Sequence, residues 1–478
     1  MAPGRAADER SVMGARRAAD ERSVMAARRA AGERPALASR RSPLACLRVA
    51  LALAAVALLL PAAPAGSADG GVTRARLANG LTVLVRENPT APVVAISLQV
   101  RMGTRWETRA NAGISNLLQL MVVRGTERYS GTQIVELADR LGGSIDAYGD
   151  ADSSEISATA LSRYWMEILD LVADVALRPS VPDGTFQAVR DFLVRQVRNR
   201  GDKPYDVAVD TLAATLYGPG PYGWDPIGLK ESLERIDRDT LLAHYRRHYV
   251  PGGMVLAVSG RVKAAEVVAQ AERLFGGRTA GASPAPQRPQ PPAPAASREV
   301  LSVPGAQAQI LMGNLAPSLT DPDYPAVKVL ATVLGGGMAG RLFSDLRDKQ
   351  ALAYTTATQY PSRVDQSAFV ALLGTAPANV AKAEAALREQ LERIRREPVS
   401  EDELRVGKAY LLGNLEMDRR TNARQAWYLA FFEVAGVGFE YLDSYPDRVN
   451  RVTAADVQRV AQRYLSPLRS VVVEPPPK

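Results

Sequence analysis

The chain repeats itself. RIDRDTLLAHYRRHYVP, Arg235–Pro251, is echoed with one residue of offset by RVTAADVQRVAQRYLSP, Arg451–Pro467. VPDGTFQAVRDFLVRQV, from Val181, is echoed by VSEDELRVGKAYLLGNL, from Val399, a pairing that sets Gln196 opposite Asn414. Repetition at this period implies a duplicated domain, so each half has to close a similar set of elements around its own core. Between the halves, ASPAPQRPQPPAPAAS (282–297) is rich in Pro and Ala and carries no core-forming run, which predicts an extended, semi-rigid linker. The expected division is a first half over 72–278, a linker over 279–298 and a second half over 299–475.

Within each half the pattern is mixed. ANGLTVLVREN alternates into a strand around Thr82–Arg86, PVVAISLQVRM gives another near Val93–Val100, and SSEISATAL has a period of two. YWMEILDLVADVAL and VAKAEAALREQLERIRREP have helical spacing, the second with Glu and Arg or Lys one turn apart. QILMGNLAP opens the second half as its sister opens the first. The fold class is therefore α+β, two homologous sheet-plus-helix halves.

The N-terminus does not belong to that fold. RAADERSVM occurs at Arg5–Met13 and again at Arg17–Met25, and RAAGERPAL follows, a repeat that reads as disordered. Arg40, Arg41 and Arg48 then precede the apolar run Val49–Leu60 and small residues ending at Ala68, the pattern of a secretory signal peptide. The apolar run is short for a membrane span, which needs about 20 residues. Residues 1–68 hold 11 arginines against 5 acidic residues, so most of the net charge of +8 leaves with them, and no basic nucleic-acid surface is implied for the remainder. The single cysteine, Cys46, lies before the apolar run. A processed chain would form no disulfide and no thiolate metal site. These features together predict a periplasmic protein with no stable membrane span after cleavage.

The stretch AGISNLLQLMVVRGT, Ala112–Thr126, sits between Gly103, Arg105 and Glu107 upstream and ends in Arg124-Gly125-Thr126. It resembles the zinc helix of the insulinase-type (M16) metallopeptidases, whose motif is His-x-x-Glu-His: two histidines one turn apart hold zinc and the glutamate activates water. In this chain the three motif positions are Asn116, Gln119 and Leu120. The resemblance puts a third zinc ligand, a glutamate, 76 residues beyond the second histidine, and that position is Gln196. Leucine has no lone pair to give. Neutral amides supply no charge to hold a divalent cation, and none is a base near neutral pH. Losing a positioned general base alone costs about 10²–10⁴ in rate, and losing the metal removes the Lewis acid as well. No metal is expected in this chain, and no catalytic position is intact.

Farther on, Gly335-Gly336-Gly337 leads into GRLFSDLRDKQALAY, Gly340–Tyr354. It resembles the family's second-half signature, in which an arginine and a tyrosine seven residues apart bind the substrate backbone; here they are Arg347 and Tyr354. A fixed cationic donor and a hydroxyl donor suit that task. GGGMAG has neither the GxGxxG nor the P-loop spacing, so it is not read as a phosphate site. The only histidines, His244 and His248, stand one turn apart, but no Asp, Glu or Cys lies between Leu241 and Pro251, and zinc needs at least three protein ligands. The offset repeat sets them against Arg459 and Arg463, which predicts two solvent-facing side chains. No GxSxG elbow is present.

The resemblance implies two halves closing like a clam around a chamber. It implies a non-catalytic subunit that pairs with a zinc-bearing M16 chain, or with its own copy, and lends Arg347 and Tyr354 to an endopeptidase acting on extended peptides. Zinc would then reside in the partner. Substrate would add as a strand to a sheet edge, expected at the strand after Asp146-Ala147, near Ile156–Ala160. A peptide-binding scaffold without an enzymatic partner is the alternative.

Overall fold

The computed structural model describes residues 71–288 and 290–477. The expected signal peptide and the N-terminal repeat lie outside them. In the first half, strands β1 (Val72–Arg76), β2 (Thr82–Glu87), β3 (Val93–Val100), β4 (Ser144–Gly149), β5 (Ser154–Leu161) and β6 (Met254–Gly260) form one sheet in the order β1-β2-β6-β3-β5-β4. In the second half, β7 (Ser297–Ser302), β8 (Ala308–Ala316), β9 (Thr355–Gln359), β10 (Ser367–Thr375) and β11 (Arg469–Glu474) form another, ordered β7-β11-β8-β10-β9. β7 begins at Ser297, at the end of the Pro/Ala stretch.

The two sheets are the same sheet built twice. β2 runs parallel to β6, as β7 does to β11, and every other neighbour in the shared order is antiparallel. β1 is an addition, a hairpin strand on β2. The helices follow the same plan. The first half has α1 (Ile114–Val122), α2 (Gly131–Arg140), α3 (Trp165–Leu177), α4 (Asp183–Gly201), α5 (Pro204–Tyr217), α6 (Arg238–His248) and α7 (Ala264–Phe275). The second has α8 (Tyr324–Gly335), a π-helical segment Leu342–Lys349, α9 (Val380–Arg396), α10 (Glu401–Asp418), α11 (Asn422–Val434), α12 (Tyr441–Arg451) and α13 (Ala454–Tyr464). α9 shows why these segments become helices: Val380, Ala383, Leu387, Leu391 and Ile394 recur at three- and four-residue steps and are all buried.

Each half lends one helix to the other. α5 leaves the first half and packs on β8 and β11, burying Leu212 and Leu216 with Leu311, Leu372 and Val471. α11 does the reverse, lying across β3 and β6 with Leu429, Ala430 and Val434 against Leu84, Val255 and Ala257. This explains a feature of β6: MVLAVSG is buried at every position because both of its faces are covered. Each leucine so buried contributes about 2 kcal/mol, so the joint between the halves is a hydrophobic core in its own right. The described residues form one compact unit.

A charged cluster closes the same joint. Arg105 reaches Asp365 at 2.7 Å and Asp152 at 3.6 Å; Arg363 reaches Asp150 at 3.0 Å and Asp152 at 3.7 Å. The Tyr222 hydroxyl donates to Asp152, and the Arg363 guanidinium lies 5.4 Å from the Tyr222 ring centre. Asp150 and Asp152 follow β4 while Arg363 and Asp365 follow β9, so the cluster ties together the ends of the two sheets' matching edge strands.

Candidate functional site

α1 carries Asn116, Gln119 and Leu120. It starts where it does because Gly113 adopts a left-handed φ of 92°, and an added Cβ there would stand 2.7 Å from Gly228 Cα. The buried Glu107 carboxylate then accepts from the backbone N–H groups of Gly113 and Ser115, both at 2.9 Å, satisfying the open donors of the first turn. Burial pushes the Glu107 carboxyl up, and these hydrogen bonds pull against that. Ile114, Leu117, Leu118 and Met121 face the core.

Gln119 is wholly buried, and its Oε1 accepts from the Tyr249 hydroxyl at 2.8 Å. Its Nε2 has no hydrogen-bond partner among the described residues. Leu120 packs against the first-half core. Asn116 is half-buried, and its Cα backs onto Gly149 of β4, where a Cβ would stand 3.2 Å away. α4 packs on α1 and brings Gln196, also half-buried, to the same side of the fold.

Zinc does not fit this set. The one side-chain oxygen buried at its centre is engaged by a tyrosine hydroxyl, Leu120 offers only carbon, and the amides carry no charge. Among the described residues no group of three or more His, Cys, Asp or Glu side chains is placed to hold a metal ion.

The two histidines are not solvent-facing, contrary to the expectation from the repeat. His244 is 7 % exposed and His248 1 % exposed. α6 packs under α1, so His244 Nε2 lies 3.1 Å from Ser115 Oγ and His248 Nδ1 lies 3.0 Å from the Arg101 carbonyl oxygen, the rings 4.3 Å apart. Burial holds His244 down at about 3 and His248 at about 4. The error came from the one-residue offset. Asp237 and Thr453 cap α6 and α13 in the same way, each accepting from the backbone N–H three residues on. Matching those caps sets His244 on the buried Val460 and His248 on Tyr464 instead of on arginines. The caps were the signal that would have found this.

A second expectation also fails. The strand at Ile156–Ala160 is not a sheet edge: it belongs to β5, which is paired on both sides, with β3 and β4. The edge is β4, Ser144–Gly149, whose outer side has no strand partner among the described residues. Arg347 and Tyr354 lie on the second half. Arg347 is exposed, its guanidinium 4.6 Å from the Phe343 ring centre, while nearby Asp345 is held by Lys349 at 2.6 Å. Tyr354 is 59 % exposed, and its backbone N–H donates to Gly374 O at 2.9 Å, which places the phenol just before β9, the edge of the second sheet.

Residues 82–225 match the insulinase family, peptidase family M16, and residues 235–411 match the peptidase M16 inactive domain. The chain belongs to peptidase family M16. This M16 chain is 25 % identical over 408 residues to an uncharacterized zinc protease of Rickettsia bellii, covering 84 % of itself and 97 % of the relative. It is 26 % identical over 406 residues to one of Mycobacterium leprae, covering 83 % and 90 %. Among solved structures, the peptidase M16 inactive domain from Pseudomonas fluorescens superposes with a TM-score of 0.79 at 22 % identity, covering 85 % of this M16 chain and 98 % of that one. A protease from Helicobacter pylori gives 0.79 at 21 %, covering 85 % and 100 %.

Proposed function

We propose that this M16 chain is a non-catalytic, peptide-binding subunit that pairs with a zinc-bearing M16 chain. One observation carries the reading. At the position where the family's general base stands, Gln119 is buried and bonded to Tyr249, so the helix is kept for packing while its chemistry is gone. What stays exposed is the second-half pair, Arg347 and Tyr354, beside an open sheet edge. In the pair, the partner holds zinc and the water it activates. Arg347 and Tyr354 donate to a substrate carbonyl, and an extended peptide lies along the free side of β4, its backbone continuing the ladder. The proposal sets this work in the periplasm, on the strength of the signal-like sequence pattern before Ala68.

The test is reconstitution with a zinc-bearing M16 partner. Arg347→Ala combined with Tyr354→Phe lowers turnover by the pair by roughly 10²–10³, the usual loss when such donors go, and leaves folding intact because both residues are exposed. Loss of peptide binding with no effect on any turnover supports the scaffold alternative. Peptide cleavage by the lone chain at the pair's rate contradicts the proposal.

A further inference from the structure

One cross-strand row of the first sheet ends in open space. Gln99 of β3 pairs opposite Glu155 of β5, and Glu155 pairs opposite Tyr148 of β4. Residues directly opposite one another point to the same face, so these three side chains form a row across three strands. The face is the one that α11 covers. The Gln99 amide donates to the Trp427 carbonyl oxygen at 3.5 Å, and the Tyr148 hydroxyl sits beside the Glu155 carboxylate and the Trp427 indole. Tyr148 is 43 % exposed, whereas Ala147, which points to the opposite face, is buried. The even-numbered side chains of β4 therefore border open space, and the odd-numbered ones turn toward α1.

Near that space α11 presents a flat wall. Trp427 stacks on Phe431 with ring centres 4.7 Å apart and planes 8° off parallel. The Arg424 guanidinium lies 4.3 Å from the Trp427 ring centre and 5.0 Å from that of Tyr428. Asp418 accepts from Arg424 at 2.6 and 2.9 Å and from the Tyr428 hydroxyl at 2.8 Å. The guanidinium charge is thus matched, and the wall is aromatic and close to neutral.

We infer that Tyr148 and Trp427, with Arg424 held across the rings, select an aromatic side chain on the bound peptide. The inference rests on the reading that peptide adds to β4. A strand added there places one residue opposite Tyr148, and its side chain extends the row Gln99, Glu155, Tyr148 beside Trp427. A phenyl or phenol ring in that place gains offset or edge contacts with both aromatic residues. An acidic side chain gains no ion pair from Arg424, whose charge Asp418 has taken. The flanking peptide residues point the other way, toward Asn116. Specificity in the first half is then set by a helix that the second half supplies.

The experiment measures binding of labelled peptides of about ten residues, long enough to pair along β4, by fluorescence anisotropy on the full chain. The peptides have an Ala, Ser and Thr background with one central Phe, Leu, Ala or Asp. The Phe peptide binds roughly five- to tenfold tighter than the Ala peptide, the scale of one or two aromatic contacts, and the Asp peptide binds no tighter than the Ala peptide. Tyr148→Ser, at an exposed position, and Trp427→Leu each bring the Phe-to-Ala ratio to within about twofold. Binding without an aromatic preference, or a preference that survives both substitutions, overturns the inference and leaves the β4 reading standing. Failure of every peptide to bind the folded chain overturns both.

Discussion

The Tyr249 hydroxyl donates to Gln119 Oε1 at 2.8 Å, joining the residue that follows α6 to the middle of α1. Gln119 is thereby a buried structural contact. Tyr249→Phe removes the donor and leaves the Gln119 amide without a partner in a dry site, so it destabilises the fold by about 1–3 kcal/mol. Urea denaturation checks it, with the midpoint falling and the slope unchanged.

The histidines give stability a pH dependence of definite sign. Both are buried, His248 is held at about 4 and His244 at about 3, against about 6.5 in an unfolded chain. Below pH 6.5 the unfolded chain takes up protons that the folded chain refuses until the pH nears 4, so stability falls as pH drops through that window. The slope is up to about 1.4 kcal/mol per pH unit for each histidine. Glu107, pushed up by burial, acts in the opposite sense. The measurement is therefore the difference in unfolding free energy between the native chain and His248→Asn from pH 7 to pH 4.5: the variant loses less stability on acidification. An equal loss in both contradicts the assignment.

The joint between the halves rests on Arg363 as well as on the exchanged helices. Its guanidinium serves Asp150 and Asp152, and Asp152 is 5 % exposed. Arg363→Ala leaves two carboxylates short of a counter-charge and costs about 3–5 kcal/mol. Removing Arg105 in the same chain costs more than its single effect, because Asp152 then loses the second of the two arginines that share it. Thermal unfolding of the single and double variants reads both numbers.

Much of this architecture was legible in the sequence. The repeat gave two like halves, and strands such as Val93–Val100 alternate or run apolar as buried strands do. α1 was legible from the spacing of Ile114, Leu117, Leu118 and Met121. What was hidden depends on contacts far apart in the chain. That α5 and α11 each leave their own half could not be read from helical periodicity, because a helix shows the same apolar stripe whichever sheet it covers. The edge was misplaced for the same kind of reason: β4 and β5 both alternate, and only their order in the sheet decides which has a free side. The burial of His244 and His248 was lost to a single residue of misalignment. Tyr249, the partner of Gln119, carried no signal at all, since a tyrosine at the end of a helix pairs with nothing in particular until the fold is known.

The most direct measurement of the central claim is the zinc content of the purified chain beside its peptide-cleaving activity, alone and with a zinc-bearing partner. The account predicts well under about 0.1 zinc per chain after dialysis against zinc, no cleavage by the chain alone, and cleavage on adding the partner. About one tightly held zinc per chain, lost together with cleavage in Asn116→Ala or Gln196→Ala, would contradict it.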